Sequence, residues 1–434
     1  MNAKKIQERI YSIDFLRGVV MMLMLLDHTR DFVHHEALLT DPTDPATTTV
    51  PLFFTRWITH FCAPTFVFLS GVSIYLQKMN GKSAAELSRF LFTRGLWLII
   101  LEFTLVRFGF VFNLDYSFFG VAQVIWVIGL SMIVMAALVY LPLRIVGIFG
   151  IALIVLHNLF DQFQVLPAIA FGANSPPDLS QMLWMILHQP GVIPLFGGAS
   201  SAFLAYPLIP WVGVMAAGYA LGAIYSWDSA RRRKWLLALG LSMCAMFVVI
   251  RYTNVYGDPA PWATEEQAAA QVATAAQDRP PDAPPIPPFE PTLSEPAFSI
   301  LDFLNTQKYP PSLLYLLMTL GPSIIVLALI DKIDGKAIWQ RIAITFGRVP
   351  MFYYLLQMPV AHLFGVVLSL LAGKAVGYYF LNFPANGAAA PPDHGFSLPV
   401  VYAAWIGGLI ILYPLCYWYG NYKRKNKHWL LSYL

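Results

Sequence analysis

The chain has 434 residues, 57% of them hydrophobic and 12% charged, with a mean hydropathy of +0.59. That balance excludes a soluble globular protein and marks a polytopic membrane protein. The 28 basic and 24 acidic residues leave a net charge of +4, and no basic run is interleaved with aromatics, so no nucleic-acid partner is expected.

Windows of about 20 apolar residues predict an all-α fold, a single polytopic bundle of about ten transmembrane helices spanning the whole chain. The segments lie near 12–33, 53–77, 91–112, 119–141, 145–166, 206–226, 235–252, 311–331, 349–372 and 398–420. Placing both termini in the cytoplasm sorts Lys4/Lys5/Arg9, Lys78/Lys82/Arg89/Arg94, Arg144, Arg231 to Lys234, Lys332/Lys336/Arg341/Arg348 and Lys423/Arg424/Lys425/Lys427 onto one side, as the positive-inside rule requires. The first apolar segment follows basic residues but is interrupted by charges and lacks a small-residue cleavage site, so it reads as a retained span. Cys62, Cys244 and Cys416 all fall in apolar stretches, with no paired spacing, and read as small core residues.

The first span carries Asp14, Arg17, Asp27, His28, Arg30 and Asp31. Ionisable groups inside a span cost roughly 2.5–3.5 kcal/mol each on insertion scales, so they face a cavity or a partner and mark function. At about 100° per residue, Asp14, Arg17 and His28 fall within roughly 60° of one another, with Asp27 to one side and Arg30 opposite. Arg17 and His28 are separated by about 16 Å of helical rise, which puts the arginine near one membrane surface and the histidine toward the other. His60 sits about two turns into the second span from the outside, level with His28. A neutral imidazole there can take a proton from an attacking hydroxyl or amine, with Asp31 orienting the His28 ring and Asp27 on a neighbouring face; hydrogen bonding between helices is the plainer alternative for both histidines. His28, Asp31, His34 and His35 recur at i+3/i+4 spacing that a zinc ion can use, but HHEALL is not an HExxH motif and no metal is expected.

Arg94 opens the third span and Arg348 the ninth, at the depth of Arg17. Guanidinium groups at a cytoplasmic mouth suit phosphate, and equally serve as positive-inside anchors. Asp14 and Glu102 are read as structural, Glu102 paired with Arg107 or Arg17. In the fifth span His157 and Asp161 form an i,i+4 pair that either lines an acceptor pocket or satisfies itself. Residues 167–205 are apolar and broken by Gly and Pro, which suits an interfacial or re-entrant lid, with His188 within it. The 253–310 stretch is a Pro/Ala-rich extracytoplasmic loop, expected to be mostly mobile linker. Lys308 and Tyr309 lead into the eighth span and are further candidates on the outer side.

The stretches SIDFLRGVVMMLMLLDH, THFCAPTFVFLSGVS, YPLIPWVGVMAAGYALG, FLNTQKYPPSLLYLLMTLGP and FGRVPMFYYLLQ together resemble bacterial membrane proteins related to heparan-α-glucosaminide N-acetyltransferase. The opening Asp-x-x-Arg-Gly followed by His28 also looks like the first helix of the broader integral-membrane acyltransferases. The resemblance implies a bundle of about ten or eleven helices that takes acetyl from cytoplasmic acetyl-CoA and delivers it to a sugar or glycan across the inner membrane. In it His28 corresponds to the catalytic histidine, as general base or acetyl carrier, and Arg17 to the first-helix motif. Arg94 and Arg348 are assigned to the CoA phosphates from depth and charge, Asp27 and Asp31 join His28 in the catalytic set, and His60, His157, Asp161, Lys308 and Tyr309 are assigned to the acceptor. The expected partners are membrane lipid, acetyl-CoA and the acceptor, with a homodimer left open. A transporter or flippase using the same intramembrane charges is the main alternative, and a non-catalytic partner in envelope assembly is a third.

Overall fold

The computed structural model describes residues 10–37, 40–171, 176–277, 292–426, 428 and 431. Lys4, Lys5, Arg9 and Lys427 of the expected cytoplasmic set, and the proline-rich run 278–291, lie outside them.

In chain order, α1 (Tyr11–Val33) is followed by α2 (Val50–Thr59) and α3 (Cys62–Met79), which interrupt the expected second span at His60 and Phe61. The Thr49 hydroxyl caps α2 by accepting the Leu52 N–H (3.4 Å). A Ser83/Glu86 capping box opens α4 (Ala84–Leu101), which continues through a π-helical turn, Glu102–Val106, into α5 (Arg107–Val111). Strand β1 (Phe118–Ala122) leads to α6 (Val124–Leu138), and α7 (Leu143–Leu156) ends in a 3-10 turn, His157–Phe160. After α8 (Pro167–Ala170) and α9 (Leu179–Leu187), β2 (Gly191–Leu195) and β3 (Ser200–Leu204) precede α10 (Leu208–Leu221) and α11 (Ser229–Thr253). The remainder is α12 (Glu265–Gln277), α13 (Glu295–Leu304), α14 (Leu313–Leu329), α15 (Ile338–Arg348), α16 (Pro350–Leu371), α17 (Ala385–Ala388) and α18 (Leu398–Lys425).

Helix occupies most of each segment expected from hydropathy, except that 119–141 begins in strand β1, and the chain is a multi-pass membrane protein. Among the described residues, six helical stretches are long and apolar enough to cross a membrane: Val50–Met79, Leu143–Phe160, Leu208–Ser226, Ser229–Thr253, Pro350–Leu371 and Leu398–Lys425. Val124–Leu138 and Leu313–Leu329 are apolar but shorter. Outward-facing Ile148 and Ile151 on α7, Val248 and Val249 on α11, and Ile406 and Ile410 on α18 are exposed with no protein cover, as lipid-facing surfaces are.

Two expectations need correction. The fold is mostly helical but not all-α. Strands β1, β3 and β2 form a small sheet in that order, β3 parallel to β1 and antiparallel to β2, with Val121 opposite Phe203 and Ile193 opposite Ala202. The alternation of buried and half-buried residues in FFGVA and SSAFL is a strand period that a 20-residue hydropathy window averages away. Nor are the described parts of 253–310 mere linker. Arg251 at the end of α11 donates to the carbonyls of Ala260 (2.7 Å), Asp302 (2.6 Å), Phe303 (3.1 Å) and Asn305 (2.7 Å), drawing α13 and the segment before α14 onto the bundle. Trp262 packs edge-on against Phe303 and donates from its indole to the Ser299 carbonyl.

Helix α1 is the axis of the fold. Met21, Leu25 and Val33 have no exposed surface, and the helix packs on α15, α16 and α18 with further contacts to α2, α3 and α14. Its closest approach is to α15: a Cβ added at Gly18 would lie 1.8 Å from the Ala343 carbonyl oxygen, and one added at Gly347 would lie 1.8 Å from that of Asp14. Both obstacles are backbone, so no rotamer change relieves them. Gly347→Ala is expected to destabilise the protein at or above the top of the roughly 1–3 kcal/mol range of overpacked cores, measured as a lower midpoint of thermal unfolding in detergent. An unchanged midpoint would mean that α15 moves freely away from α1.

Candidate active site

The C-terminal third of α1 presents a polar cluster in a helical bundle. Asp27 is clamped: Arg56 of α2 donates to both its carboxylate oxygens at 2.5 Å, the Thr59 hydroxyl donates at 3.0 Å, and Arg30 lies at 3.2 Å. Arg30, placed opposite by helical spacing, folds its guanidinium back to Asp27 and to Asp31 (2.5 Å). Asp31 also lies 3.6 Å from Nδ1 of His28. That nitrogen is buried and otherwise without a hydrogen-bond partner, while the ring as a whole keeps 12% exposure. Of the two carboxylates flanking His28, only Asp31 is thus within ion-pair distance of the imidazole, through Nδ1.

His60 lies at the break between α2 and α3, almost wholly buried, with its ring 5.5 Å from that of Tyr315 and its carbonyl accepting the Tyr315 hydroxyl (2.8 Å). It shares the electrostatic field of Asp27, Arg56 and Lys308. Lys308, itself buried, reaches the same cluster and lies over the Tyr309 ring at 5.0 Å. Burial pushes the Tyr309 phenol up, and Lys308 and Arg56 beside it more than reverse this, holding it below its ordinary value. The segment bearing these two residues is tied down. Asp258 accepts from the Gln307 N–H (2.9 Å) and the Ser312 hydroxyl (2.8 Å), and Ser312 in turn caps α14. Burial moves the Asp258 carboxyl above its usual range, against the hydrogen bonds from Gln307 and Ala260. His28, Asp27, Asp31, His60, Lys308 and Tyr309 therefore gather in one place. Arg56, the cluster's anchor, was missed; a charge inside the second span, four residues before His60, was the signal for it.

Basic residues collect at the other end of α1. Arg17 donates to the Ser73 hydroxyl of α3 (2.7 Å) and the Gly347 carbonyl (3.3 Å) and lies 3.4 Å from Asp14. It lines a cavity of about 400 Å³ with Arg94, Lys82 and Lys423 that extends inward to Phe66 and Ile125. Arg348 lines a neighbouring cavity of about 600 Å³ with Arg341 and Arg424, and Lys423 borders both. Arg17 and Arg94 are brought together, then, while Arg348 stands next door. Lys82 and Lys423, expected only to sort by the positive-inside rule, thus join the arginines at this cavity.

Other expectations change. Glu102 does not pair with Arg107 or Arg17. Its carboxylate accepts the Trp126 N–H (2.9 Å) and interacts with those of Gln123 and Ile125, capping α6, whose own N-cap residue makes no side-chain bond. Arg107 instead bonds the carbonyls of Asn113 and Asp115 and the side chains of Asn113 (2.9 Å) and Asn382 (3.1 Å). His34 and His35 lie past the end of α1, where His34 is extended (φ −78°, ψ 140°), so the helical spacing to His28 and Asp31 does not apply to them. His157 and Asp161 lie close but do not bond to each other. Asp161 lies 3.0 Å from Nε2 of His188, the C-cap of α9, and accepts from Asn158 (2.8 Å). These three form a second cluster, tied to the first through Asn158, which accepts the Leu313 N–H at the start of α14 (2.9 Å).

The sequence profile of heparan-alpha-glucosaminide N-acetyltransferase, catalytic, matches residues 9–252, more than half of the chain. The chain belongs to this family. The heparan-alpha-glucosaminide N-acetyltransferase match makes it a membrane acetyltransferase, as the resemblance of its motifs implied. It runs from the start of α1 to the last turn of α11 and so takes in Arg17, His28, Asp31, His60 and Arg94, whereas Lys308, Tyr309 and Arg348 fall beyond it. No curated protein matches the chain.

Proposed function

We propose that the protein moves an acetyl group from cytoplasmic acetyl-CoA to an amine or hydroxyl of a sugar or glycan on the far side of the inner membrane, with the basic end of the bundle in the cytoplasm. The observation that carries this reading is the polarity of α1. Its first third borders a cavity lined by Arg17, Arg94, Lys82 and Lys423, and its last third holds His28 against Asp31, about 16 Å further along the rise. The arginines and lysines hold the CoA phosphates, since guanidinium and ammonium groups at a partly enclosed mouth make charge-assisted hydrogen bonds to them. The thioester then reaches toward the His28 level. Asp31 keeps the proton on Nδ1, leaving the Nε2 lone pair to accept the proton of the acceptor amine or hydroxyl. The acceptor atom bonds to the acetyl carbonyl carbon, the carbon–sulfur bond breaks, and the proton passes to the departing CoA thiolate. Lys308 and Tyr309 meet the acceptor, and Asp27, its oxygens occupied by Arg56, Thr59 and Arg30, positions α1 against α2.

The test uses protein in nanodiscs with radiolabelled acetyl-CoA and a pool of amino sugars and glycan fragments. Arg94→Ala is expected to raise KM for acetyl-CoA by about 10- to 100-fold with kcat little changed, the signature of a lost charge-assisted contact away from the chemistry. Arg94→Lys should recover part of the loss. Wild-type protein that neither binds nor consumes acetyl-CoA, yet moves a sugar across a liposome membrane, would replace this reading with transport.

A further inference from the structure

We propose that His157, Asp161 and His188 form a site for one divalent cation of the zinc class, and that the bound ion fastens the end of α7, the end of α9 and the start of α14 together. The inference stands apart from the acetyl-transfer reading.

Each of the three residues offers a ligand atom, and these atoms all lie within 4.8 Å of one another. The His188 Nε2 to Asp161 contact is 3.0 Å. Around a tetrahedral zinc with bonds of about 2.0–2.2 Å, ligand atoms sit roughly 3.3–3.6 Å apart, so movements on the order of 1 Å bring the set to bonding distance. Two imidazoles and one carboxylate are the donor set of zinc and its transition-metal neighbours rather than of magnesium or calcium, which take oxygen ligands.

Burial argues for an occupant. His157 and His188 are 1% and 2% exposed, and both ring nitrogens of His157 and Nδ1 of His188 have no hydrogen-bond partner. Leaving a buried polar atom unsatisfied costs about 1–3 kcal/mol. A simple Asp161–His188 pair explains one nitrogen and strands the others. A cation held between the rings takes one nitrogen of His157 as well, leaving its other nitrogen as an N–H on the side of the Pro311 carbonyl. The surroundings resemble the outer layer of a metal site, which orients ligands through hydrogen bonds. Asn158 donates to the second oxygen of Asp161 (2.8 Å), and the Pro311 carbonyl approaches the His157 ring without reaching hydrogen-bond geometry. Phe160 and Trp184, with ring centres 6.0 Å and 5.2 Å from that of His188, wall the site in.

The local sequence delivers these groups. Asp178 and Gln181 form a capping box that starts α9, and the helix ends at His188, its C-cap. The 3-10 turn at 157–160 turns both His157 and Asp161 to the same side, which a continuing α-helix at i,i+4 also allows, but it is Asn158 that reaches across to the Leu313 N–H. Because residues 311–313 are joined to Lys308 and Tyr309, the ion would steady the segment that carries them.

The experiment is a cobalt titration of chelator-stripped protein in nanodiscs, followed by visible absorption and thermal unfolding. The expected result is one equivalent of Co²⁺ with the strong visible bands of a tetrahedral nitrogen/oxygen site, bleached by Zn²⁺, and a raised unfolding midpoint. His157→Ala and His188→Ala should abolish the bands. Asn158→Ala should weaken binding by about 10- to 100-fold without abolishing it. His35→Ala, at an exposed histidine, should change nothing. Wild-type protein that binds no stoichiometric cobalt overturns the proposal and needs no variant to fold. Bands that survive in both His157→Ala and His188→Ala overturn it as well.

Discussion

Replacing His28 by Ala is expected to lower the rate of acetyl transfer by about 10²- to 10⁴-fold, the usual contribution of a positioned general base, while leaving acetyl-CoA binding within a few-fold of wild type. The split follows from where the residue lies. His28 is eleven residues along α1 from Arg17, so its loss removes nothing from the basic cavity that Arg17, Arg94, Lys82 and Lys423 line. The ring is largely buried, at 12% exposure, but its buried nitrogen meets Asp31 at 3.6 Å and makes no hydrogen bond, so thermal unfolding of the variant is the control that separates a lost base from lost packing. Asp31→Asn should produce a smaller fall together with a changed pH profile of kcat, since it alters the proton on Nδ1 without removing the base. Release of CoA and formation of labelled product, followed together, separate the steps. A His28→Ala protein that remains folded and transfers acetyl at the wild-type rate would remove His28 from the reaction.

Arg56→Ala should cost about 3–5 kcal/mol of stability, the range for breaking one side of a buried ion pair. Arg56 supplies two of the contacts to Asp27, both at 2.5 Å, and the two side chains are only 14% and 13% exposed. Without it Asp27 keeps Thr59, Arg30 and the more distant charge of Lys308, but Arg30 is shared with Asp31, so the two short charge-assisted hydrogen bonds that Asp27 loses are not replaced. Pairing the change with Asp27→Leu should restore much of the loss, because removing both partners of a buried pair is often nearly neutral. Thermal unfolding in detergent for the two single variants and the double variant reads this directly, and additive losses would show that the two charges do not depend on each other.

Much of this protein was legible before any tertiary contact was known. Hydropathy located the long apolar helices, though not α9, α13 or α15, because a bilayer imposes one length and one composition on every crossing and none on a helix that does not cross. The intramembrane charges of α1 announced a functional helix because burying them without a partner is prohibitive. The motifs around Asp14, Arg17 and His28 carried the family. The sheet of β1, β3 and β2 was hidden because its five-residue strands are shorter than any window that finds a span. Glu102 was assigned an arginine because a carboxylate in a span needs a donor. The backbone N–H groups at the start of α6 are donors that no side-chain inventory contains.

What the sequence by itself determined is the class of protein, the position of its long apolar helices and the residue types that carry chemistry, since these follow from the local free energy of placing a side chain in lipid or in a helix. Which charges neutralise which was decided only by the tertiary structure. Asp27 belongs to Arg56 rather than to His28, Asp161 to His188 twenty-seven residues away, and Gly18 follows Arg17 because the Ala343 carbonyl stands where a Cβ would be. Such pairings depend on where helices distant in sequence cross, and the geometry of a crossing is set by packing over whole faces, which no short motif contains.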